Sequence, residues 1–254
     1  MSPQPRTAIV TGAGKRVGAE IARALLADGW SVVAHVRRDE DSVADGAVKT
    51  VADLTEPGCA GRIFEAAAGL PPVRLLVNNA ARFAWDGFGE VSSTEFEAHM
   101  AVNVRAPLLL TEAFASAHDG EADALVVNLL DSKLAAPNPD FLSYTLSKYA
   151  LAGLTELSAR ALAPRGIRVN GIAPALMLRS AGQSEENFAV MRQANPLRRA
   201  VEPGDVIAAL RYLIASPAVT GEVLTIDGGQ RFWSLERDVQ FLSPSGDGQF
   251  LERK

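Results

Sequence analysis

The sequence predicts a single-domain α/β fold: a Rossmann-type, doubly wound parallel sheet with helices on both faces. Three observations support this prediction. Short apolar runs alternate with segments of helical periodicity, which is typical of right-handed strand–helix–strand crossovers. A glycine-rich turn joins the first apolar run to the first helix. The chain has 254 residues, 48% of them hydrophobic, which is enough for one large core on both sheet faces.

The N-terminal half is expected to contain four strands. An apolar run at residues 7–11 predicts the first strand, and Gly29 ends the helix that follows it, because glycine suits a helix C-terminus. Pro71 and Pro72 end a later helix. The elements predicted in this half are strands at 7–11, 30–35, 48–52 and 73–77, helices at about 17–28 and 57–68, and a long helical pair at 92–117.

The C-terminal half continues the same alternation. Asn103, Val104 and Arg105 stand shortly before Pro107, so they predict a kink within the long helical pair. The remaining predicted elements are strands at 124–128, 167–174 and 221–226, a helix around Tyr144, a helix at 203–215, and a mobile loop or short helix over the site at 175–186.

The domain boundaries follow from composition. We assign the domain to residues 6–229, with a polar N-terminal tail at 1–5 and a C-terminal tail at 230–254. The C-terminal tail is polar but retains Phe232, Trp233, Phe241 and Phe250. Either it is mostly disordered or it docks on a neighbouring subunit, and its aromatic content favours the subunit interface.

Charge and composition argue against several function classes. The net charge of −5 and the short basic tracts give no reason to expect a nucleic acid or an anionic membrane as a partner. No signal pattern and no apolar run of about 18 residues are present, so we expect a cytoplasmic protein. The one cysteine, Cys59, is expected to pack in a helix, and His35, His99 and His118 have no ligand-like spacing, so no metal is expected.

The turn after the first strand is a candidate dinucleotide site. Glycines let the backbone approach a pyrophosphate, and the following helix N-terminus offers unpaired N–H groups and a positive dipole. A glycine turn that only packs a helix on a strand is the alternative. The candidate residues in this turn are Gly12, Gly14, Lys15, Arg16, Val17 and Gly18.

The end of the second strand indicates which cofactor is preferred. NAD-selective sites place an acidic residue there for the ribose 2′-hydroxyl, whereas this chain has Arg37 and Arg38 before Asp39. Two guanidinium groups, together with Arg16 in the turn, suit a 2′-phosphate and predict NADP. The alternative is a solvated basic loop in which Asp39 reads NAD.

Two further strand ends contribute candidate cofactor contacts. Asp53 and Leu54 follow the third strand and could line the edge of an adenine ring. After the fourth strand, the small residue Ala80 lets a ligand lie against the backbone, and the side chains of Asn78 and Asn79 can tie neighbouring strand ends together. Phe83 follows in the same loop and is either a lid over the core or a flat surface on which a planar substrate stacks.

The candidate catalytic residues lie between residues 128 and 151. Tyr144 and Lys148 are four positions apart in a helical pattern, so both side chains project from one helix face. A nearby ammonium would lower the pKa of the phenol and make Tyr144 a usable proton donor. Asp131 follows a buried strand, so its carboxyl group is expected to face the same substrate. The Tyr/Lys spacing alone is weak evidence, because it arises by chance on surface helices.

Together these motifs resemble the short-chain dehydrogenase/reductase family over residues 6–229. The resemblance depends on the order and spacing of five elements: the turn from Thr11 to Gly18, the Asn78-Asn79-Ala80 run, Asn103, the Asp131/Tyr144/Lys148 set, and Pro174. It implies that these residues form the cofactor and catalytic sites. It also implies a homo-oligomer, usually a tetramer built through helices at about 92–117 and 143–163.

Two departures from the usual family pattern resemble the pteridine reductase and dihydromonapterin reductase branch. Arg16 stands where the family turn usually has its middle glycine, and Asp131 replaces the usual catalytic serine. This branch implies that Arg16 binds cofactor phosphate and pterin, that Phe83 stacks on the pterin, and that Asn103 supports a proton relay through Lys148. Ala175 after Pro174, where the family usually has glycine, is a smaller departure.

The chemistry of Asp131 favours the same substrate class. A ketone oxygen becomes negative as hydride arrives, which an ionised carboxylate would oppose, whereas a protonated imine nitrogen is stabilised by that carboxylate. Alternatively, a buried Asp131 stays protonated and donates a hydrogen bond as serine would. We therefore expect an NADPH-dependent reductase of a pterin C=N bond. The alternatives are a carbonyl reductase or alcohol dehydrogenase of the same family, and a dinucleotide-binding protein without turnover.

Overall fold

Seven parallel strands form the central sheet of the structure, a computed structural model that describes residues 4–180 and 182–242. Their order across the sheet is β3-β2-β1-β4-β5-β6-β7, and every neighbouring pair is parallel. The strands are β1 Thr7–Val10, β2 Ser31–Val36, β3 Val48–Val51, β4 Val73–Asn78, β5 Ala124–Leu129, β6 Ile167–Pro174 and β7 Val223–Ile226. The predicted fold class is confirmed.

The helices cover both faces of this sheet. Within the described residues they are α1 Arg16–Ala27, α2 Cys59–Glu65, α3 Ser93–Met100, α4 Ala106–Ala117, α5 Leu142–Leu162, α6 Glu185–Met191 and α7 Pro203–Ala215. One buried cluster joins α1 and α7 to the sheet, and a second joins α2, α4 and the C-terminal half of α5 to the opposite face. Val, Ile, Leu and Ala side chains make up most of both clusters, and their burial is the main term that stabilises such a fold.

The strand order reverses between β1 and β4, and this reversal positions the site. In a doubly wound sheet the helices on either side of such a point go to opposite faces, so a crevice opens beyond the carboxyl ends of the strands. Most of the polar side chains singled out in the sequence lie at these strand ends. Asn78 at the end of β4 donates its amide to Asn128 of β5 at 2.8 Å, which ties neighbouring strand ends together as predicted.

Three predicted elements differ in extent. Helix α2 is shorter than the predicted 57–68, because Gly58 precedes its first turn and hydrogen-bonded turns replace the helix after Ala66. The predicted kink before Pro107 is a π-helical turn, Ala101–Arg105, between α3 and α4. The 175–186 segment is a loop up to residue 180, and α6 begins at Glu185, where Ser184 Oγ accepts from the Asn187 N–H at 3.1 Å.

The C-terminal tail is described as far as residue 242. Residues 230–242 pack against their own domain near the carboxyl ends of the strands. They form two short 3₁₀ turns, Gln230–Phe232 and Val239–Phe241. Residues 243–254, with Phe250, and residues 1–3 lie outside the described part, and a contact of the tail with another subunit stays a prediction. Among the described helices, none has the length and apolar character needed to cross a membrane.

Candidate active site

A cleft of about 750 Å³ opens at the carboxyl ends of the strands. It extends from the glycine turn past the ends of β2, β4 and β5 to the start of α5 and the C-terminal segment. The predicted site residues that line it are Gly12, Gly14, Lys15, Arg16, Val17, Gly18, Arg37, Arg38, Asp53, Leu54, Asn79, Ala80, Phe83, Asp131, Tyr144, Lys148 and Pro174. Asn103 is buried behind this lining.

The glycine turn has no room for side chains. Gly12 has a φ of +65°, and a Cβ on it would lie 3.0 Å from the Cα of Ala80. A Cβ on Gly18 would lie 2.2 Å from the carbonyl oxygen of Gly12 and 2.5 Å from Nδ2 of Asn79. Glycine at both positions therefore lets the turn pack directly against the end of β4 and the first turn of α1. The turn lines the cleft just before the N-terminus of α1, which is the place where such folds hold a pyrophosphate.

The end of β4 holds this turn in place. Asn79 donates its amide to the carbonyls of Thr11 and Gly12 at 2.8 and 3.3 Å. The hydroxyl of Thr11 accepts the N–H groups of Asn79 and Ala80, each at 3.0 Å. Asn79 therefore braces the turn from the switch point, in addition to lining the cleft.

His35 is a site residue that sequence reasoning missed. Its Nδ1 accepts the N–H of Gly12 at 3.2 Å, and its Nε2 lies 2.9 Å from the carbonyl of Ala52, so the proton is assigned to Nε2. Burial lowers its pKa, which keeps the ring neutral and able to accept from Gly12. His35 thus links β2, the end of β3 and the glycine turn, but nothing in its neighbouring sequence signals that role.

Arg16 occupies the left-handed region at the first position of α1, with a φ of +54°. The family turn usually has glycine at this position, and the positive φ of Arg16 explains that preference, because glycine adopts such a conformation without strain. A left-handed conformation costs a non-glycine residue about 1–2 kcal/mol. The exposed guanidinium extends along the cleft, where Nη2 donates to the carbonyl of Leu178 at 3.3 Å.

Arg37 and Arg38 lie directly after β2 with exposed guanidinium groups that line the cleft. Asp39 forms an ion pair with Lys49 at 3.1 Å and is not part of the lining of the cleft. Asp53 accepts the N–H and hydroxyl of Thr55 at 2.8 Å each, and these hydrogen bonds lower its pKa. The strand end therefore presents two guanidinium groups to the cleft, and their binding of a 2′-phosphate stays a prediction.

Asp131 and Tyr144 form a hydrogen-bonded pair at the centre of the cleft. The phenol of Tyr144 donates to Oδ2 of Asp131 at 2.8 Å, and the N–H of Lys133 donates to Oδ1 at 2.9 Å. Burial raises the pKa of Asp131, while these two donors and Lys148 oppose the rise. An acceptor of two hydrogen bonds has the geometry of a carboxylate, although burial favours its neutral form.

The prediction that Lys148 lowers the pKa of Tyr144 is wrong for this arrangement. Burial, followed by the charge and hydrogen bond of Asp131, raises the pKa of Tyr144 well above its usual value. The phenol therefore keeps its proton at neutral pH and donates it in a hydrogen bond to Asp131, but a pKa raised in this way makes Tyr144 a weaker acid than the sequence predicted. Burial lowers the pKa of Lys148 to about 8, and its ammonium donates to the carbonyl of Leu129 at 2.6 Å.

Helix α5 presents Tyr144 and Lys148 on one face, as their spacing predicted. That face is largely polar rather than leucine-rich: Ser147 and Thr155 are fully buried on it, whereas Leu146 is 46% exposed. Asp86 fixes the start of the helix by accepting the N–H of Ser143 at 2.9 Å and also its hydroxyl. Asp86 is a second residue that the sequence did not reveal, because its partner is 57 positions away.

Asn103 lies in the π-helical turn and is almost fully buried. Its Oδ1 accepts the N–H of Arg82 at 2.7 Å, while Nδ2 donates to the carbonyl of Arg82 at 3.0 Å and to Ser147 Oγ at 2.8 Å. The widened π turn lets the side chain bridge the β4 loop and α5. A proton relay from Asn103 to Lys148 would therefore need an intervening group, and the relay stays a prediction.

Phe83 stands at the substrate end of the cleft with 45% of its surface exposed. Its ring stacks on Phe141 at a centroid distance of 4.3 Å and meets Tyr144 edge-on at 4.7 Å. Phe83 therefore covers other side chains and still exposes aromatic surface to the cleft, and its stacking on a substrate stays a prediction.

Comparisons with known proteins agree with this arrangement. The family model described as Enoyl-(Acyl carrier protein) reductase matches residues 12–231. Galactitol 2-dehydrogenase (L-tagatose-forming) from Cereibacter sphaeroides is 34% identical over 242 residues, which cover 89% of this chain and 95% of that enzyme.

Two solved structures of FolM Alternative dihydrofolate reductase 1, both in complex with NADP, are also similar. The one from Brucella canis has 35% identity and a TM-score of 0.85 over 94% of this chain and 96% of that chain. The one from Brucella suis has 36% identity and a TM-score of 0.86 over 92% and 98%. The chain belongs to the short-chain dehydrogenase/reductase family, and its structural neighbours include the pteridine-reductase-like branch of that family.

Proposed function

We propose that this oxidoreductase uses NADPH to reduce a C=N bond of a pterin-type substrate, such as a dihydropteridine or a dihydrofolate-like ring. The observation that carries the proposal is the phenol of Tyr144 donating to the buried carboxyl group of Asp131 at 2.8 Å, beside Lys148. A phenol donor and a carboxyl acceptor are thereby held together where a ring nitrogen would receive its proton.

The cleft fits NADP. The glycine turn lines the cleft and leads directly into α1, whose N-terminus would hold the pyrophosphate. Arg37 and Arg38 would bind the 2′-phosphate, and Asp53 and Leu54 would line the adenine edge. The NADP in both FolM structures supports the same cofactor for this chain.

The bound cofactor supplies a hydride to the ring carbon of the C=N bond. Tyr144 delivers the matching proton to the ring nitrogen, so that one hydride and one proton add across the bond and the C–N single bond carries C–H and N–H. Lys148 would hold the nicotinamide ribose with its ammonium and return a proton to Tyr144. Asn103 keeps α5 and the β4 loop in register for this transfer.

Asp131 decides between substrate classes. Its carboxylate stabilises a ring nitrogen that gains positive charge in the transition state, and stabilisation that appears only there raises the rate. The same carboxylate opposes an oxygen that becomes negative, because charges in a buried site interact strongly. Phe83 and Arg16 would contact the flat ring and its polar edge.

A carbonyl reductase or alcohol dehydrogenase is the second candidate. The identity to galactitol 2-dehydrogenase, whose name states an alcohol substrate, favours it. In that case the pKa of Asp131, which burial raises, would leave the group protonated and able to donate to a carbonyl oxygen as a serine hydroxyl does.

The test is NADPH oxidation with dihydrobiopterin, dihydromonapterin or dihydrofolate, compared with a panel of ketones. We expect turnover of at least one pterin, a preference for NADPH over NADH, and loss of turnover in Tyr144→Phe, which keeps the ring but removes the proton. No pterin turnover together with good ketone turnover would reject the proposal. Tight NADPH binding without any turnover would instead favour a non-catalytic dinucleotide-binding protein.

We also propose a homotetramer built through α4 and α5. The outer faces of these helices expose Leu108, Leu146, Tyr149 and Leu157, with Leu157 68% exposed. Joined in one patch, these side chains would form the kind of apolar surface that marks an interface. Light scattering that gives the mass of a single chain of 26.9 kDa would contradict this assembly.

A further inference from the structure

The residues Gln230–Leu242, here called the strap, cross the substrate end of the cleft. Trp233, Leu235, Asp238 and Val239 of the strap line the cleft, and Asp238 pairs with Lys133 beside Asp131. None of these residues has a role in the chemistry described above.

The strap is tied to the segment between Asp131 and Tyr144. Asp140, whose side chain is 7% exposed, accepts Nε and Nη2 of Arg237 at 2.8 Å each and the N–H of Asp238 at 2.8 Å. Lys133 donates to the carbonyl of Asp140 at 2.5 Å and to Asp238 Oδ2 at 3.4 Å. A buried carboxylate with three donors is a strong anchor, because losing a partner leaves a charge unpaired away from water.

A row of aromatic rings leads from the strap to the catalytic tyrosine. Phe241 of the strap stacks on Phe141 with centroids 5.9 Å apart and planes 20° apart. Phe141 stacks on Phe83 at 4.3 Å and 19°, and Phe83 meets Tyr144 at 4.7 Å and 90°. The orientation of Phe83 therefore depends on a ring that the strap covers.

Phe141 is held in an unfavourable backbone conformation. Its φ is +55°, in the left-handed region, and it directly precedes α5. Such a conformation costs a bulky residue about 1–3 kcal/mol and persists only where neighbours enforce it. Here the neighbours are Asp140 on its N-terminal side, Phe83 and Phe241 on its ring, and Lys133 with its ammonium 5.4 Å from the ring centroid.

We propose that the strap determines substrate specificity. The Arg237–Asp140 pair and the ring of Phe241 hold Phe141 in place. Phe141 in turn holds Phe83 in the orientation that receives a flat heteroaromatic ring. Arg237 and Phe241 are positioning residues in this scheme, since they act through Phe141. The inference rests on the proposed function in taking the substrate to be a pterin, and it adds the element that favours this ring over an aliphatic carbonyl compound.

The Arg237→Ala variant tests the strap, and Arg211→Ala is its matched control. Both arginines are half exposed, at 52% and 53%, and each forms a bidentate pair with an aspartate at 2.8 Å, but Arg211 pairs with Asp28 away from the cleft. The probe is oxidised biopterin, titrated by fluorescence into the NADP⁺-loaded enzyme. We expect its dissociation constant to rise about tenfold in Arg237→Ala and to stay within about twofold in Arg211→Ala.

A second variant keeps the inference testable if Arg237→Ala folds poorly. Phe241→Leu keeps apolar volume but removes the stacked ring, and we expect KM for dihydrobiopterin to rise about threefold or more while kcat and NADP⁺ affinity stay within about twofold. Arg237→Lys should recover part of the lost biopterin affinity. A merely structural role would lower NADP⁺ affinity as much as biopterin affinity.

Unchanged biopterin affinity in both Arg237→Ala and Phe241→Leu would overturn the inference, as would an equal loss of NADP⁺ affinity. The proposed function can fail separately. If the wild type binds biopterin but turns over no dihydropterin, the assigned reaction is wrong. The ratio of biopterin affinities between the wild type and the strap variants then still decides the role of the strap. A wild type that binds no biopterin overturns both.

Discussion

Replacing Asp131 with serine restores the hydroxyl that the family usually carries at this position, so it tests the substrate assignment directly. In the structure the side chain accepts Tyr144 at 2.8 Å and the Lys133 N–H at 2.9 Å in a buried setting. Removing the acceptor takes away a hydrogen bond to a charged group, worth about 1.5–3 kcal/mol. If that interaction is made in the transition state, kcat/KM for a dihydropterin should fall about 10- to 150-fold.

The same substitution should affect a ketone in the opposite direction. Without the carboxylate near the developing oxyanion, kcat/KM for a small ketone should stay constant or rise. Because the Asp131 carboxylate contributes to the raised pKa of Tyr144, its removal should also shift the alkaline limb of the pH–rate profile to lower pH. Asp131→Asn is the matched control, since it keeps the shape and an acceptor oxygen but removes the charge.

The assay is steady-state NADPH oxidation by both variants with one dihydropterin and one ketone. A pterin kcat/KM within about threefold of wild type in Asp131→Ser would refute the reasoning, because no interaction with Asp131 would then be specific to the transition state. Parallel losses for both substrates would also refute it, since they indicate a general disturbance of the site.

Three further variants test the cofactor site and the buried lysine. Gly18→Ala places a Cβ 2.2 Å from the Gly12 carbonyl oxygen, so it should lower the free energy of unfolding by about 1–3 kcal/mol and weaken NADPH binding. Urea unfolding and cofactor titration measure these two effects, and unchanged values would contradict the turn geometry. The Arg37→Ala/Arg38→Ala double variant should weaken NADPH about tenfold or more and NADH little, and equal changes would remove the 2′-phosphate assignment. Lys148→Met should stabilise the cofactor-free protein at pH 7, because the fall of the pKa from 10.5 to about 8 corresponds to about 3 kcal/mol of cost for burying the ammonium. This cost is fully present below pH 8 and fades as pH rises towards 10.5. The difference in the free energy of unfolding between the variant and the wild type, measured in urea, should therefore shrink by pH 10. A difference that does not depend on pH would contradict the lowered pKa of Lys148.

Much of the site could be predicted because its parts are local patterns or stand at strand ends. The spacing of Tyr144 and Lys148 defines a helix face, and the glycine turn follows directly after β1. Asp131 could be placed beside Tyr144 because a buried strand ends shortly before it, and the carboxyl ends of parallel strands share one edge.

The rest depends on contacts between distant positions. Asp86 and Ser143 are 57 residues apart, and Asp140 and Arg237 are 97 residues apart, so neither pairing follows from local periodicity. The pKa of Tyr144 was predicted in the wrong direction, because spacing reveals a neighbouring ammonium but not the burial that outweighs it. The path of the strap across the cleft likewise depends on tertiary packing, which aromatic content alone does not specify.

The central claim is that hydride reaches the carbon of a ring C=N bond while Tyr144 protonates the nitrogen. The direct measurement uses NADPH deuterated at the transferable position of the nicotinamide, with dihydrobiopterin as substrate and mass spectrometry and NMR of the product. The account predicts a tetrahydropterin with a single deuterium on the former imine carbon, formed by wild type and lost in Tyr144→Phe. A product pool without deuterated pterin, alongside deuterium transfer to the carbinol carbon of a ketone substrate, would contradict it.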